Sequence, residues 1–145
     1  MSANERVPYR FELRVYWEDT DAAGIVFYAN YLKFFERARS EWMRSCGHGQ
    51  EMLRRDAGIA FVVSETAVRY LRPARLDDML SVSVDVRHLG QASLEIGQQA
   101  WRADELLAEA TIRIGCVELG TFRPCRIPND IRDSLGPANA MGGLA

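Results

Sequence analysis

Tyr28-Ala29-Asn30-Tyr31-Leu32-Lys33-Phe34-Phe35-Glu36-Arg37-Ala38-Arg39-Ser40-Glu41-Trp42-Met43-Arg44-Ser45-Cys46 is the one long stretch of the chain whose apolar residues recur at the helical period. Tyr31, Phe35, Ala38, Trp42 and Cys46 stand three or four apart and line one face. Leu32, Phe34 and Met43 widen that stripe, so the helix is expected to be largely enclosed. Arg37 and Glu41, four apart, mark its polar side. Asn30 is placed to cap its start and Gly47 to end it.

Outward from this helix the chain reads as strand. Before it, Tyr9, Phe11, Leu13, Val15 and Trp17 alternate with polar or exposed positions, the period of a half-buried strand. Asp19-Thr20-Asp21-Ala22-Ala23-Gly24 then breaks the alternation with turn-forming residues. After it comes a short helical turn, Gln50 to Asp56, closed by Gly58. Strands follow over Ala60–Leu71, Leu80–Arg87, Ser93–Arg102 and Leu106–Val117, the last two joined by a tight turn at Ala103-Asp104-Glu105. A further short strand is expected over Phe122–Ile127 and a terminal helical turn from Pro128 and Asn129. No helix separates the later strands, so parallel crossovers are excluded. The class is α+β: a curved antiparallel sheet wrapped around one long central helix.

The 145 residues suit a single domain, with an ordered core over about 9–132 and a Gly/Ala-rich tail, 136–145, expected to fray. Hydrophobic residues at 48% and charged residues at 26% exclude a disordered chain. Eighteen basic against twenty acidic side chains give a formal charge of −2, which supplies no field for nucleic acid. All the basic residues except Lys33 are arginine. No apolar run approaches the roughly 20 residues of a membrane span. The first residues lack an apolar leader core, and Cys46, Cys116 and Cys125 show no framework spacing. Free thiols in the cytoplasm are therefore expected.

For chemistry, the Asp19-Thr20-Asp21 turn is the chief candidate. Its bland reading is an Asx turn leading into a helix. A calcium loop counted from Asp19 fails, because positions five and twelve are Ala23 and Asn30. A phosphatase-type Asp-x-Asp site belongs on a parallel sheet, which this chain does not build. There remains a carboxylate set near a helix N-terminus, whose free N–H groups form an oxyanion site. Such a carboxylate attacks a carbonyl or activates water to do so. Other nucleophile and metal patterns are poorly supported: there is no Gly-x-Ser-x-Gly, and Cys46-Gly47-His48 lacks a second ligand pair, so no metal is expected. No phosphate-cradling Gly-rich loop occurs either.

Tyr16 to Leu32, followed by Phe35-Glu36-Arg37-Ala38-Arg39, resembles the signature of hot-dog-fold acyl-CoA thioesterases. It is similar to the 4-hydroxybenzoyl-CoA thioesterase type and, more closely, to the Tol-Pal system-associated acyl-CoA thioesterases. Pro73-Ala74-Arg75-Leu76-Asp77-Asp78-Met79-Leu80 resembles the latter group as well. The resemblance, from about Tyr9 to Pro128, implies hydrolysis of acyl-CoA to free acid and coenzyme A without a cofactor. It implies Asp21 as the catalytic carboxylate, nucleophile or general base, with Asp19 a structural acid or one that supports the site from behind. It puts Tyr28 at the catalytic position where a backbone N–H polarises the carbonyl, and Gly24, Ile25, Val26, Phe27 and Tyr31 against the substrate. Tyr28 matches the tyrosine of the 4-hydroxybenzoyl type, where the Tol-Pal group often carries histidine. An aromatic acyl group is thus an alternative substrate. The acyl pocket is implied to lie between subunits of a dimer or homotetramer, and Arg72, Arg75 and Arg87 are candidates for the coenzyme A phosphates. A hot-dog dehydratase is a second reading, disfavoured because neither the helix nor the turn carries histidine. A non-catalytic acyl-CoA-binding, envelope-associated module is a third.

Overall fold

The computed structural model describes residues 8–135, so the Gly/Ala-rich tail lies outside the described residues. Strand β1 (Tyr9–Arg14) leads through a single 3-10 turn (Trp17–Asp19) and a tight loop into helix α1 (Asn30–Ser45). A short helix α2 (Gln50–Met52) widens into a π turn over Leu53–Ala57. Four strands follow, β2 (Ile59–Tyr70), β3 (Met79–Leu89), β4 (Ser93–Arg102) and β5 (Glu105–Glu118), then helix α3 (Asn129–Leu135). The five strands form one sheet in the order β1-β3-β4-β5-β2, antiparallel at each pairing.

Burial explains the arrangement. Tyr31, Phe34, Phe35, Ala38, Trp42 and Met43 of α1 are buried. They meet alternate residues of the sheet: Leu80, Val82, Val84 and Val86 of β3, Leu94, Ile96 and Ala100 of β4, and Ile112, Ile114 and Cys116 of β5. Phe34 and Phe35 are wholly enclosed, each stabilising by roughly 1.5–3 kcal/mol relative to an exposed ring. Gln98, buried on the same face, is satisfied by three bonds. It accepts from Arg39 Nη1 at 2.9 Å and donates to the carbonyls of Phe35 at 3.1 Å and Ser83 at 3.2 Å.

Four local expectations are corrected. Trp17 does not continue the first strand but stands 83% exposed. The chain bends there because the Asp19 carboxylate accepts the Tyr16 N–H at 2.8 Å. Leu32 lies outside the buried stripe. Asn30 does not cap α1: Ala29 is the capping residue, without a side-chain bond, and Asn30 is the first helical residue. Residues 122–127 form no strand; an isolated bridge joins Pro124 to Val117, and separate backbone bonds hold the rest, the Cys125 N–H on Cys116 O, the Glu118 N–H on Arg123 O and the Ile127 N–H on Gln91 O, each at 2.9 Å. Gly47 does end α1, at φ +88°. The Gly47 N–H reaches Arg44 O and the His48 N–H reaches Met43 O, each at 2.9 Å, a paired closure that favours glycine at this position.

Candidate active site

The loop between β1 and α1 is a small folded unit. Thr20 bridges to Val26, and the Asp21 N–H donates to Ile25 O at 2.9 Å. Gly24, at φ +81°, makes the reversal between them, a conformation that costs other residues a steric clash. Asp19 is buried beneath this unit. Its carboxylate holds the Tyr16 N–H, while its carbonyl accepts the Phe27 N–H at 3.0 Å and Asn30 Nδ2 at 2.9 Å. Asp19 is thus the internal tie of the loop.

Asp21 faces solvent at the tip. One carboxylate oxygen accepts the Ala23 N–H at 2.8 Å, closing an Asx turn, and the other has no protein partner among the described residues. The group lies in a shallow exposed groove with Trp17, Glu18, Thr20 and Ala22. The Asx turn and a free carboxylate oxygen therefore coexist in one side chain.

The start of α1 supplies donors. Asn30 N–H reaches Phe27 O at 2.8 Å, Tyr31 N–H reaches Tyr28 O at 3.3 Å and Leu32 N–H reaches Ala29 O at 3.1 Å. The N–H groups of Tyr28 and Ala29 meet no protein acceptor among the described residues. These are the orphan donors of a helix N-terminus, carrying its partial positive charge.

Beside them opens a pocket of about 240 Å³, with Ile25, Val26, Tyr28, Tyr31, Tyr70 and Arg72 among its walls. Tyr31 and Tyr70 meet edgewise at 5.4 Å, Tyr28 and Tyr70 at 6.0 Å. The Tyr31 hydroxyl accepts the Ala74 N–H at 3.2 Å, and the Val26 N–H donates to Ala74 O at 2.9 Å. Ala74 is fully buried and so locks the Pro73–Leu80 segment against the loop and the helix. The Asp78 carboxylate fixes that segment from behind, accepting the Arg75 N–H at 2.8 Å and Arg102 Nη1 at 2.6 Å. The two stretches that carry the family resemblance are therefore in direct contact.

Of the residues singled out in the sequence, Ile25, Val26, Tyr28 and Tyr31 line this pocket. Gly24 and Phe27 do not: Gly24 sits in the turn, and the Phe27 ring packs on Tyr28 at 4.8 Å. Asp21 lines a separate groove, which shares no wall with the tyrosine pocket among the described residues. Arg72 lies at the pocket and pairs with Glu105 at 3.2 Å. Arg87 lies over Gly97 on the sheet face turned away from α1 and pairs with Asp85 at 3.2 Å. Tyr70 was not singled out in the sequence. It closes a strand 42 residues from Tyr28, and no local pattern points to it. A more enclosed cavity, lined mainly by apolar residues of α1, β2, β4 and β5, shares no wall with the tyrosine pocket.

A model of the thioesterase superfamily matches residues 23–109. The chain belongs to that superfamily. It is 40% identical over 124 residues to the acyl-CoA thioesterase YbgC of Haemophilus influenzae, covering 86% of this chain and 91% of the relative. The acyl-CoA thioester hydrolase YbgC of Escherichia coli O157:H7 is also 40% identical, over 85% of this chain and 92% of its own length. Among solved structures, a probable thioesterase from Bartonella henselae superposes with a TM-score of 0.81 at 32% identity, covering 84% of this chain and all of the other. The architecture is thus the hot-dog fold expected from the sequence, and the protein is a thioester hydrolase.

Proposed function

We propose that this thioester hydrolase acts on acyl-CoA, with the Asp21 carboxylate as nucleophile or general base and the Tyr28 and Ala29 amides as oxyanion donors. The observation that carries the reading is the pairing, on one short loop, of a carboxylate with a free oxygen and two backbone N–H groups without acceptors. The relatives' activity supports the substrate class.

Chemically, the thioester carbonyl oxygen lies against the two amides. Asp21 adds to the carbonyl carbon directly or takes a proton from the water that adds. Negative charge then grows on the carbonyl oxygen, where donors fixed in advance lower the barrier. After direct attack, collapse expels the coenzyme A thiolate and leaves a mixed anhydride on Asp21, which water then hydrolyses to the free acid and the restored carboxylate; after attack by water, collapse expels the thiolate and leaves the acid directly, and the proton held by Asp21 passes to the thiolate. No metal enters this scheme, and among the described residues no cluster of His, Cys, Asp and Glu could hold one.

A second copy of the chain completes the site in this proposal. Asp21 and the tyrosine pocket are both open on one protomer. Strand β2 is a sheet edge whose Val62 and Val63 are 39% and 48% exposed, a bare hydrogen-bonding ladder that chains normally pair or cover. A dimer or homotetramer is the expected form. Three unlinked cysteines support a cytoplasmic location, and no described helix is long and apolar enough to cross a membrane. The Tol-Pal association rests on the two motifs that now meet at Ala74. The ring of Tyr28, Tyr31 and Tyr70 favours a second reading of the acyl group, a flat aromatic one.

A thiol-release assay across short, long and aromatic acyl-CoA esters tests the proposal. Stoichiometric release of thiol and free acid is expected from at least one class. Saturable binding of every ester without release would overturn it in favour of a binding module.

A further inference from the structure

Tyr70 ends β2, and its hydroxyl donates to the carbonyl of Tyr28 at 3.0 Å. That carbonyl belongs to the same peptide unit as the Ala29 N–H, one of the two amides without an acceptor. The other contact on the carbonyl is the long bond from Tyr31 N–H at 3.3 Å. The Tyr70 ring is held edgewise by Tyr28 and Tyr31, at 6.0 and 5.4 Å. The hydroxyl is thereby aimed by packing on two sides, although the residue is 45% exposed.

We propose that Tyr70 is a positioning residue for hydrolysis, fixing the Tyr28–Ala29 peptide plane and strengthening its N–H as an oxyanion donor. The inference rests on the reading that these amides polarise the thioester carbonyl. Two effects follow from one bond. Donation to the carbonyl oxygen keeps the peptide from rotating, so the N–H stays aimed at the position where charge develops. Donation also draws electron density toward the carbonyl, and hydrogen bonds in series polarise one another. The peptide before it is treated alike: Phe27 O accepts the Asn30 N–H at 2.8 Å, which braces the Tyr28 N–H from inside the helix. Tyr70 does for the second amide, from the sheet, what the helix does for the first. Tyr70 touches neither the acid nor the reacting atoms in this scheme; it acts through the peptide.

The hydroxyl is suited to the task across the working pH range. Burial, and then the neighbouring Tyr28, push its pKa above the ordinary tyrosine value, so it stays a proton donor.

Tyr70→Phe keeps the ring contacts and removes only the donor. The variant is expected to hold the wild-type melting temperature within about a degree. Its kcat should fall about tenfold, the rate equivalent of one neutral hydrogen bond, with KM within about twofold. Independently of activity, the backbone ¹⁵N resonance of Ala29 should move upfield in the free protein, because its peptide carbonyl has lost an acceptor bond. A wild-type kcat, a fall in kcat matched by a rise in KM, or an unmoved Ala29 resonance would overturn the proposal. Asp21→Asn is measured beside it. If Asp21→Asn is inactive while Tyr70→Phe behaves as wild type, Tyr70 alone is refuted. If Asp21→Asn turns over at the wild-type rate, the underlying reading falls and the role of Tyr70 falls with it.

Discussion

The carbonyl of Asp19 accepts a hydrogen bond from Asn30 Nδ2 at 2.9 Å, so the buried acid of the loop is tied to the first residue of the helix. The bond spans eleven residues and ties the loop that carries Asp21 to the helix start that carries the amides of Tyr28 and Ala29. Asn30→Ala removes it and leaves the helix otherwise intact. A loss of about 1 kcal/mol in denaturant unfolding is expected. A larger proportional loss of kcat should accompany it, because the loop and the helix start are no longer registered. Equal stability and rate would show that the tie is ornamental.

The two acids of the Asp-Thr-Asp turn should separate cleanly. Asp19 is buried and binds the Tyr16 N–H, whereas Asp21 is exposed and closes only its own turn. Asp19→Ala strands that N–H and is expected to cost about 1–3 kcal/mol of stability. A thermal melt that leaves Asp19→Ala level with wild type would contradict this assignment.

Gln98 and Arg39 form the polar tie of an otherwise apolar core. Burial lowers the Arg39 pKa, and Gln98 Oε1 is the one side-chain acceptor that its guanidinium finds among the described residues. Gln98→Leu fills the space but deprives Arg39 of that acceptor and frees the Phe35 and Ser83 carbonyls. The expected loss is about 2–3 kcal/mol, read from chemical denaturation. Gln98→Glu keeps an acceptor for Arg39 but sets an oxygen against the Phe35 and Ser83 carbonyls, so it should also destabilise.

Cys116 and Cys125 approach to 3.5 Å as thiols. Burial, with a further contribution from Cys125, pushes the Cys116 pKa up to about 12. Its folded pKa is thus above the unfolded value of about 8.5, so its stabilising contribution is whole below that value. That contribution fades as pH rises from there toward 12. Stability should fall across this alkaline window, and Cys116→Ala should flatten the fall. A thiol reagent at pH 8 should titrate Cys116 only after unfolding; rapid reaction of all three thiols in the native protein would contradict its burial.

How much of this was readable from the chain depends on the range of the interactions. The α1 stripe and the alternation of β3 are local, and both were legible, because burial on one face repeats at a fixed period. The Asp-x-Asp turn was legible as a turn and as the chief candidate for chemistry. The proposed division of roles between its acids rests on the family resemblance, since either acid satisfies the turn rules alone. Trp17 misled because alternation says nothing about where a strand stops; a carboxylate two residues later decides it. Phe122–Ile127 was expected as a short strand, yet it is held by one isolated bridge and by scattered backbone bonds to Cys116, Glu118 and Gln91. Tyr70 was invisible because its partner is a carbonyl, which carries no residue-specific signal. The meeting of both motifs at Ala74 was hidden for the same reason: backbone atoms make the contact.

The central claim is that one carboxylate, at position 21, drives thioester hydrolysis. The most direct test is single-turnover thiol release by Asp21→Asn at saturating acyl-CoA, with fold and coenzyme A binding checked in the same sample. The account predicts a melting temperature near wild type, retained binding, and a rate reduced by at least about a hundredfold, the range expected for loss of a general base or nucleophile. A folded Asp21→Asn protein that releases thiol at the wild-type rate would contradict it.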